Sequence, residues 1–137
     1  MCIRDSRKTA AIAIKNCLAR SNLKPQDIDY IHAHGTSTKL NDSNEASLIQ
    51  YLFPNSVAVS STKGSTGHTL GASGALGVAW CLLAIQSQQL LPCVGLTKVE
   101  FPINLVRRSH KSEIKHTLCF SFGFGGQNAI LAVSQFD

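Results

Sequence analysis

Between Lys63 and Lys98 the chain carries no Lys, Arg, Asp or Glu, and Gly67, Gly71, Gly74 and Gly77 recur there at spacings of four, three and three. A helix loses roughly 1 kcal/mol for each glycine that stands in place of alanine. A row of glycines near one face therefore needs a compensation, and close approach of another backbone supplies it. The stretch predicts a helix over about 70–88, central and packed rather than lying on the surface. Its most apolar part, 76–85, is short against the roughly 20 residues that cross a bilayer. Gln86, Ser87, Gln88 and Gln89 follow at once, so a membrane span is set aside.

The remaining 100 or so residues leave room for one domain with a real core, and the chain's 137 residues are too few for two. Hydrophobic residues make up 44% and charged residues only 15%, a balance that argues against disorder. The net charge is +5, and basic residues gather near the ends: Arg4, Arg7, Lys8 and Lys15, then Arg107, Arg108, Lys111 and Lys115. The aromatics Phe120, Phe122 and Phe124 lie elsewhere, so the interleaving that marks a nucleic-acid face is missing. A solvated basic surface is the plain reading. A surface that receives an acidic protein is the functional one.

Five cysteines, Cys2, Cys17, Cys81, Cys93 and Cys119, are scattered without a CxxC pair, which suggests neither zinc nor a redox motif. Reduced thiols in a cytoplasmic protein are the expectation. Residues 1–6 join no pattern that follows and contain no apolar signal core; they read as a leader foreign to a domain that spans 7–137.

Ala10, Ile14, Cys17 and Leu18 predict an amphipathic helix over 7–21, and Pro25 lies beyond its end. Residues 28–33 alternate like a strand. Asp42 or Ser43 is expected to cap a helix that reaches Phe53. A short strand over 57–60, the glycine-rich helix and an extended segment over 90–105 follow. Two apolar runs, 117–122 and 128–134, predict an antiparallel pair closed by a glycine-rich turn. The order α-β-α-β-α-β-β indicates an α/β layered fold with a mixed sheet.

Three loops carry the chemistry. In His34-Gly35-Thr36-Ser37-Thr38 an imidazole and hydroxyls follow a strand; a histidine there, taken alone, reads as structural. Thr62-Lys63-Gly64-Ser65-Thr66-Gly67-His68 lacks the order of a phosphate-binding loop, because Lys63 precedes the glycines. His68 stands just before a helix, whose positive end favours a neutral imidazole able to donate to a developing oxyanion. Phe122-Gly123-Phe124-Gly125-Gly126-Gln127-Asn128 is by itself a mobile turn with exposed amides.

In order and spacing the three loops resemble the C-terminal half of β-ketoacyl-acyl carrier protein synthases, the thiolase-like condensing enzymes. The resemblance runs from about Arg7 to Val133 through the segments HGTxT, TKxxTGH and FGFGGxN. It implies the C-terminal half of a layered α-β-α-β-α architecture. The implied reaction joins a cysteine-bound acyl chain to malonyl-carrier protein with loss of carbon dioxide, in fatty-acid or polyketide-type synthesis.

Carried over by position, His34 and His68 are the histidine pair that donates to the malonyl thioester carbonyl. Lys63 is the buried lysine, held by the acidic partners Asp42 and Glu45. Thr36 and Thr38 contact the phosphopantetheine arm, with Phe122 also at the substrate site. Phe124 is the gating aromatic whose amide completes an oxyanion hole. The resemblance implies no metal and no cofactor of the chain's own, substrates arriving on the phosphopantetheine of an acyl carrier protein. It also implies a homodimer, with neither nucleic acid nor membrane as partner.

Two departures stand out. Gly77 occupies a position where many relatives have a glutamate. The family's nucleophilic cysteine belongs to the N-terminal half, so all five cysteines here are expected to be structural and this chain alone to be inactive. Two other readings stay open: a non-catalytic partner subunit of the chain-length-factor kind, and a truncated reading frame with no stable fold.

Overall fold

The computed structural model describes residues 3–136, with side chains from Arg7 onwards. Its first helix, α1 (Ile3–Arg20), begins before the expected residue 7, because the backbone of 3–6 continues the same helical turns. The side chains of the expected leader lie outside the described residues. A turn at Pro25–Asp27 leads into β1 (Tyr30–His32), followed by α2 (Lys39–Leu52) and β2 (Ala58–Ser60).

Helix α2 starts earlier than Asp42. Thr38, in an extended conformation, takes the N-cap position, and its carbonyl accepts the N–H of Asp42. Asp42 thus sits in the first turn and Glu45 in the second. The expected long helix is also divided. A short α3 (Lys63–Thr66) lies inside the second loop, a 3-10 turn covers Leu70–Ala72, and α4 (Ser73–Ser87) follows. Leu70, at φ 50, breaks the helical path between them.

The small hairpin β3 (Gln89–Leu90) and β4 (His110–Lys111) precedes β5 (His116–Phe122) and β6 (Asn128–Ser134). The main sheet has the order β2-β1-β5-β6. Strand β1 runs parallel to both β2 and β5, pairing His32 with Ser60 on one side and Cys119 on the other. Strand β6 runs antiparallel to β5, as the two apolar runs predict.

Period-two alternation divides the sheet's faces. Ile31, Val59, Leu118 and Phe120 bury against Ala10, Ile14 and Leu18 of α1 and Leu48, Ile49 and Phe53 of α2. Tyr30, Ala58 and Cys119 point the other way, towards Cys81 and Ala84 of α4. The chain is therefore helices, sheet, helix: three layers of the expected architecture.

By length and composition Leu70–Ser87 could cross a membrane, with mean hydropathy 1.5 over 18 residues. Here one side of α4 rests on the sheet, with Gly77, Cys81 and Ala84 buried. Among the described residues no second layer covers its other side. Leu82 and Leu83, at 53% and 46% exposed, face outwards.

Because β1, β2 and β5 are parallel, the loops that leave their C-terminal ends emerge at one edge of the sheet. Those are the three loops singled out above. Ile31, fully buried at the centre, anchors that arrangement. Ile31→Ala is expected to cost about 2–5 kcal/mol through lost burial and the cavity left behind, measured by chemical denaturation of the protein.

Candidate active site

The first loop is held by a buried carboxylate. Glu45 is only 5% exposed. Its Oε1 accepts the backbone N–H of His34 at 2.6 Å, and its Oε2 accepts that of Gly35 at 2.9 Å and the Asn41 amide at 3.1 Å. Burial pushes its pKa up, opposed by these hydrogen bonds. Gly35, at φ +47, lies so close to the second loop that a Cβ there would meet Ser61 Cβ at 2.5 Å. That contact and the left-handed backbone both demand glycine.

Lys63 Nζ donates to the carbonyl of His34 at 2.5 Å. The peptide between His34 and Gly35 is thus clamped at both ends, its C=O on Lys63 and its N–H on Glu45. Burial lowers the lysine's pKa, and the charge of Glu45 opposes this. The expectation that Asp42 and Glu45 hold Lys63 needs correcting: among the described residues neither forms an ion pair with it within 4 Å. Glu45 acts on Lys63 through the intervening peptide. Asp42 instead accepts from Asn41 at 3.2 Å, because its place in the first turn of α2 directs it there.

The imidazoles of His34 and His68 meet edge to face, their ring centroids 5.8 Å apart. The Phe122 ring lies 5.7 Å from that of His34. Burial, then the charges of Lys63 and His68, lower the His34 pKa to about 4, so this imidazole is neutral at physiological pH. Among the described residues its buried Nδ1 has no hydrogen-bond partner. The N–H of Leu70 donates to His68 Nδ1 at 3.1 Å. In the neutral ring the proton is then on Nε2, which leaves an N–H donor for a ligand.

Thr36 and Thr38 join their hydroxyls at 3.1 Å along the same loop. Phe124 stands apart: its side chain is fully exposed, with no ring contact to the histidines among the described residues. The Gly125 and Gly126 backbones, at φ 77 and 79, turn the chain back into β6 beside it. Cys81 and Cys119 are buried, and the Cys119 thiol is pushed well up by its hydrogen bond with Cys81 and by burial. Cys17 and Cys93 are likewise raised by burial, and Cys2 lies outside the described residues. Among the described residues no cluster of His, Cys, Asp and Glu has the arrangement of a metal site.

Sequence reasoning missed His32. Its ring is buried and its Nε2 lies 3.0 Å from Thr62 Oγ1. The signal was available in part, since His32 follows Tyr30 at the strand's period of two and so shares its face.

A layered α/β fold whose parallel-strand ends converge on two facing imidazoles defines the condensing-enzyme class. The family model described as "Beta-ketoacyl synthase, C-terminal domain" matches residues 1–97. The mitochondrial 3-oxoacyl-[acyl-carrier-protein] synthase of Arabidopsis thaliana is 40% identical over 137 residues, covering 93% of this chain and 30% of the relative. A solved β-ketoacyl synthase from Burkholderia phymatum superposes with a TM-score of 0.91 at 30% identity, covering 95% of this chain and 33% of that one. A ketosynthase solved with its type II polyketide acyl-carrier protein and bound hexaketide gives 0.86 at 28%, covering 93% and 33%. The chain belongs to the β-ketoacyl synthase family, as a C-terminal domain. It spans about a third of the length of the curated relatives it matches.

The depressed His34 pKa has a stability consequence. Between pH 6.5 and about 4 the unfolded chain takes up a proton at this residue that the folded chain does not. Folding stability is therefore expected to fall as pH drops through that window, and His34→Gln to remove this part of the dependence. NMR titration of the imidazole, with a midpoint near 4, checks the cause.

Proposed function

We propose that this chain supplies the decarboxylating half of the active site of a β-ketoacyl-acyl carrier protein synthase, an acyltransferase. The observation that carries the proposal is the His34–His68 pair at 5.8 Å, with the His34 ring neutral and its Nδ1 lacking a partner among the described residues. A malonyl thioester carbonyl between them receives an N–H from each ring. As the bond to the carboxylate breaks, carbon dioxide leaves and the electron pair passes to the α-carbon and the carbonyl oxygen. The resulting enolate is stabilised by the two donors, and its carbon attacks the acyl thioester carbonyl, forming the new carbon–carbon bond as the carbon–sulfur bond breaks and the acyl-carrying cysteine leaves as thiolate. One well-placed donor of this kind lowers a barrier by about 3 kcal/mol.

In this reading the acyl chain is carried by a cysteine outside the 137 residues, so the chain is inactive alone and works within a longer protein. The burial of Cys81 and Cys119 supports that division. The Thr36 and Thr38 hydroxyls bind the phosphopantetheine arm at the loop's mouth, beside Phe122. Phe124, fully exposed, gates entry and gives its amide to the acyl oxyanion. The chain needs no cofactor of its own; the carrier protein brings the phosphopantetheine. Exposed Arg107, Arg108 and Lys111 offer opposite charge to an acidic carrier. A cytoplasmic homodimer is proposed, with no role for nucleic acid or membrane. Retention of both histidines favours a catalytic subunit over a chain-length-factor-like partner.

In the full-length protein, His34→Ala and His68→Ala are each expected to slow malonyl decarboxylation by about a hundredfold, read as carbon dioxide release. Lys63→Ala is expected to abolish condensation, because it frees the His34 carbonyl from its clamp. Wild-type turnover in these variants would refute the assignment.

A further inference from the structure

His32 is not among the residues that the proposed reaction requires, yet it is 3% exposed and sits where four elements meet. It ends β1, and its Nε2 lies 3.0 Å from the hydroxyl of Thr62, the N-cap of α3. Its other side faces α4 at Gly77. A Cβ at that position would lie 3.1 Å from His32 Nδ1 and 2.6 Å from Cys119 Sγ of β5. The missing side chain at residue 77 is thus the notch that admits the imidazole.

Thr62 organises the second loop. Its carbonyl accepts the N–H of Ser65 at 2.9 Å, the N–H of Thr66 at 3.1 Å and the hydroxyl of Thr66 at 3.3 Å. The next residue is Lys63, and the turn delivers the chain to His68. Three side-chain bonds tie the end of β1 and its loop to this turn: His32 to Thr62, Lys63 to the His34 carbonyl, and the Ser61 hydroxyl to the Gly35 carbonyl at 3.3 Å. The second and third come through a flexible lysine side chain and an incompletely buried serine hydroxyl. The first, from a buried ring, fixes its angle.

We infer that His32 is a positioning residue: seated in the Gly77 notch, it holds the turn over 62–66 and so sets Lys63 and His68 against His34. This extends the proposed condensing chemistry and rests on it. It also accounts for the departure at residue 77. A larger side chain there would displace the imidazole, so His32 and Gly77 form one unit at the base of the site.

The test uses the full-length protein and malonyl decarboxylation, with kcat and KM measured separately and folding checked by thermal melting. His32→Phe keeps a ring but cannot bond Thr62; Thr62→Val removes the same bond from the other end. Each is expected to lower kcat about tenfold, the worth of one hydrogen bond, with KM little changed. The double variant is expected to be no slower than either single one, because both remove one interaction. His32→Gln, whose amide reaches the position of Nε2, is expected to restore most of the rate. Wild-type kcat in Thr62→Val, or losses that multiply in the double variant, overturns the inference. Should His32→Phe fail to fold, Thr62→Val alone decides by the same criterion. His34→Ala separates the two proposals: if it decarboxylates normally, the condensing reading fails, whereas an inactive His34→Ala beside a normal Thr62→Val removes only the role of His32.

Discussion

The arrangement depends on a single peptide unit held from both sides. The N–H of Gly35 donates to the buried carboxylate of Glu45, and the His34 carbonyl of the same peptide accepts from Lys63. Either charge without such bonds would be expensive to bury. Placed at opposite ends of one peptide dipole, each satisfies part of the other's requirement without direct contact. The peptide so fixed is the one that aims the His34 imidazole. Removing either charge would leave its counterpart under-solvated and the ring's orientation undetermined.

Sheet geometry then determines what can reach that ring. Three parallel strand ends open at one edge, so loops separated by many residues in sequence become neighbours. The turn after β2 brings Lys63 and His68; the end of β5 brings Phe122. A low-polarity setting keeps the His34 imidazole neutral. A neutral ring is what a proton donor to an incipient enolate requires, since an imidazolium would tend to give the proton away altogether. Packing and chemistry are linked here: the burial that holds the ring still also sets its protonation.

Much of the fold could be read from pattern. Ala10, Ile14 and Leu18 mark α1, and the runs ending in Phe122 and Ser134 mark the antiparallel pair. Boundaries were less legible. Thr38 took the cap expected of Asp42 or Ser43, because its extended backbone sets its carbonyl to accept the first intrahelical N–H, that of Asp42. The 3-10 turn before α4 depends on Leu70 adopting a positive φ, which its side chain does not announce. At the site, the resemblance carried by the three loops singled out His34, His68 and Lys63, and by position the helix residues Asp42 and Glu45. Their order of contact was not legible. Lys63 reaches a carbonyl rather than a carboxylate, and Phe124 stands in solvent.

What the amino-acid order settled by itself was local: which residues lie on which face of a strand or helix, and which loops hold imidazole, hydroxyl and ammonium groups. Those properties follow from periods of two and 3.6 and from side-chain chemistry, both present in any short window. Only tertiary structure decided that His32 shares a wall with Gly77 and Cys119, and that His34 is neutral. Desolvation and contact depend on atoms brought together from distant parts of the chain, and no window of sequence contains them.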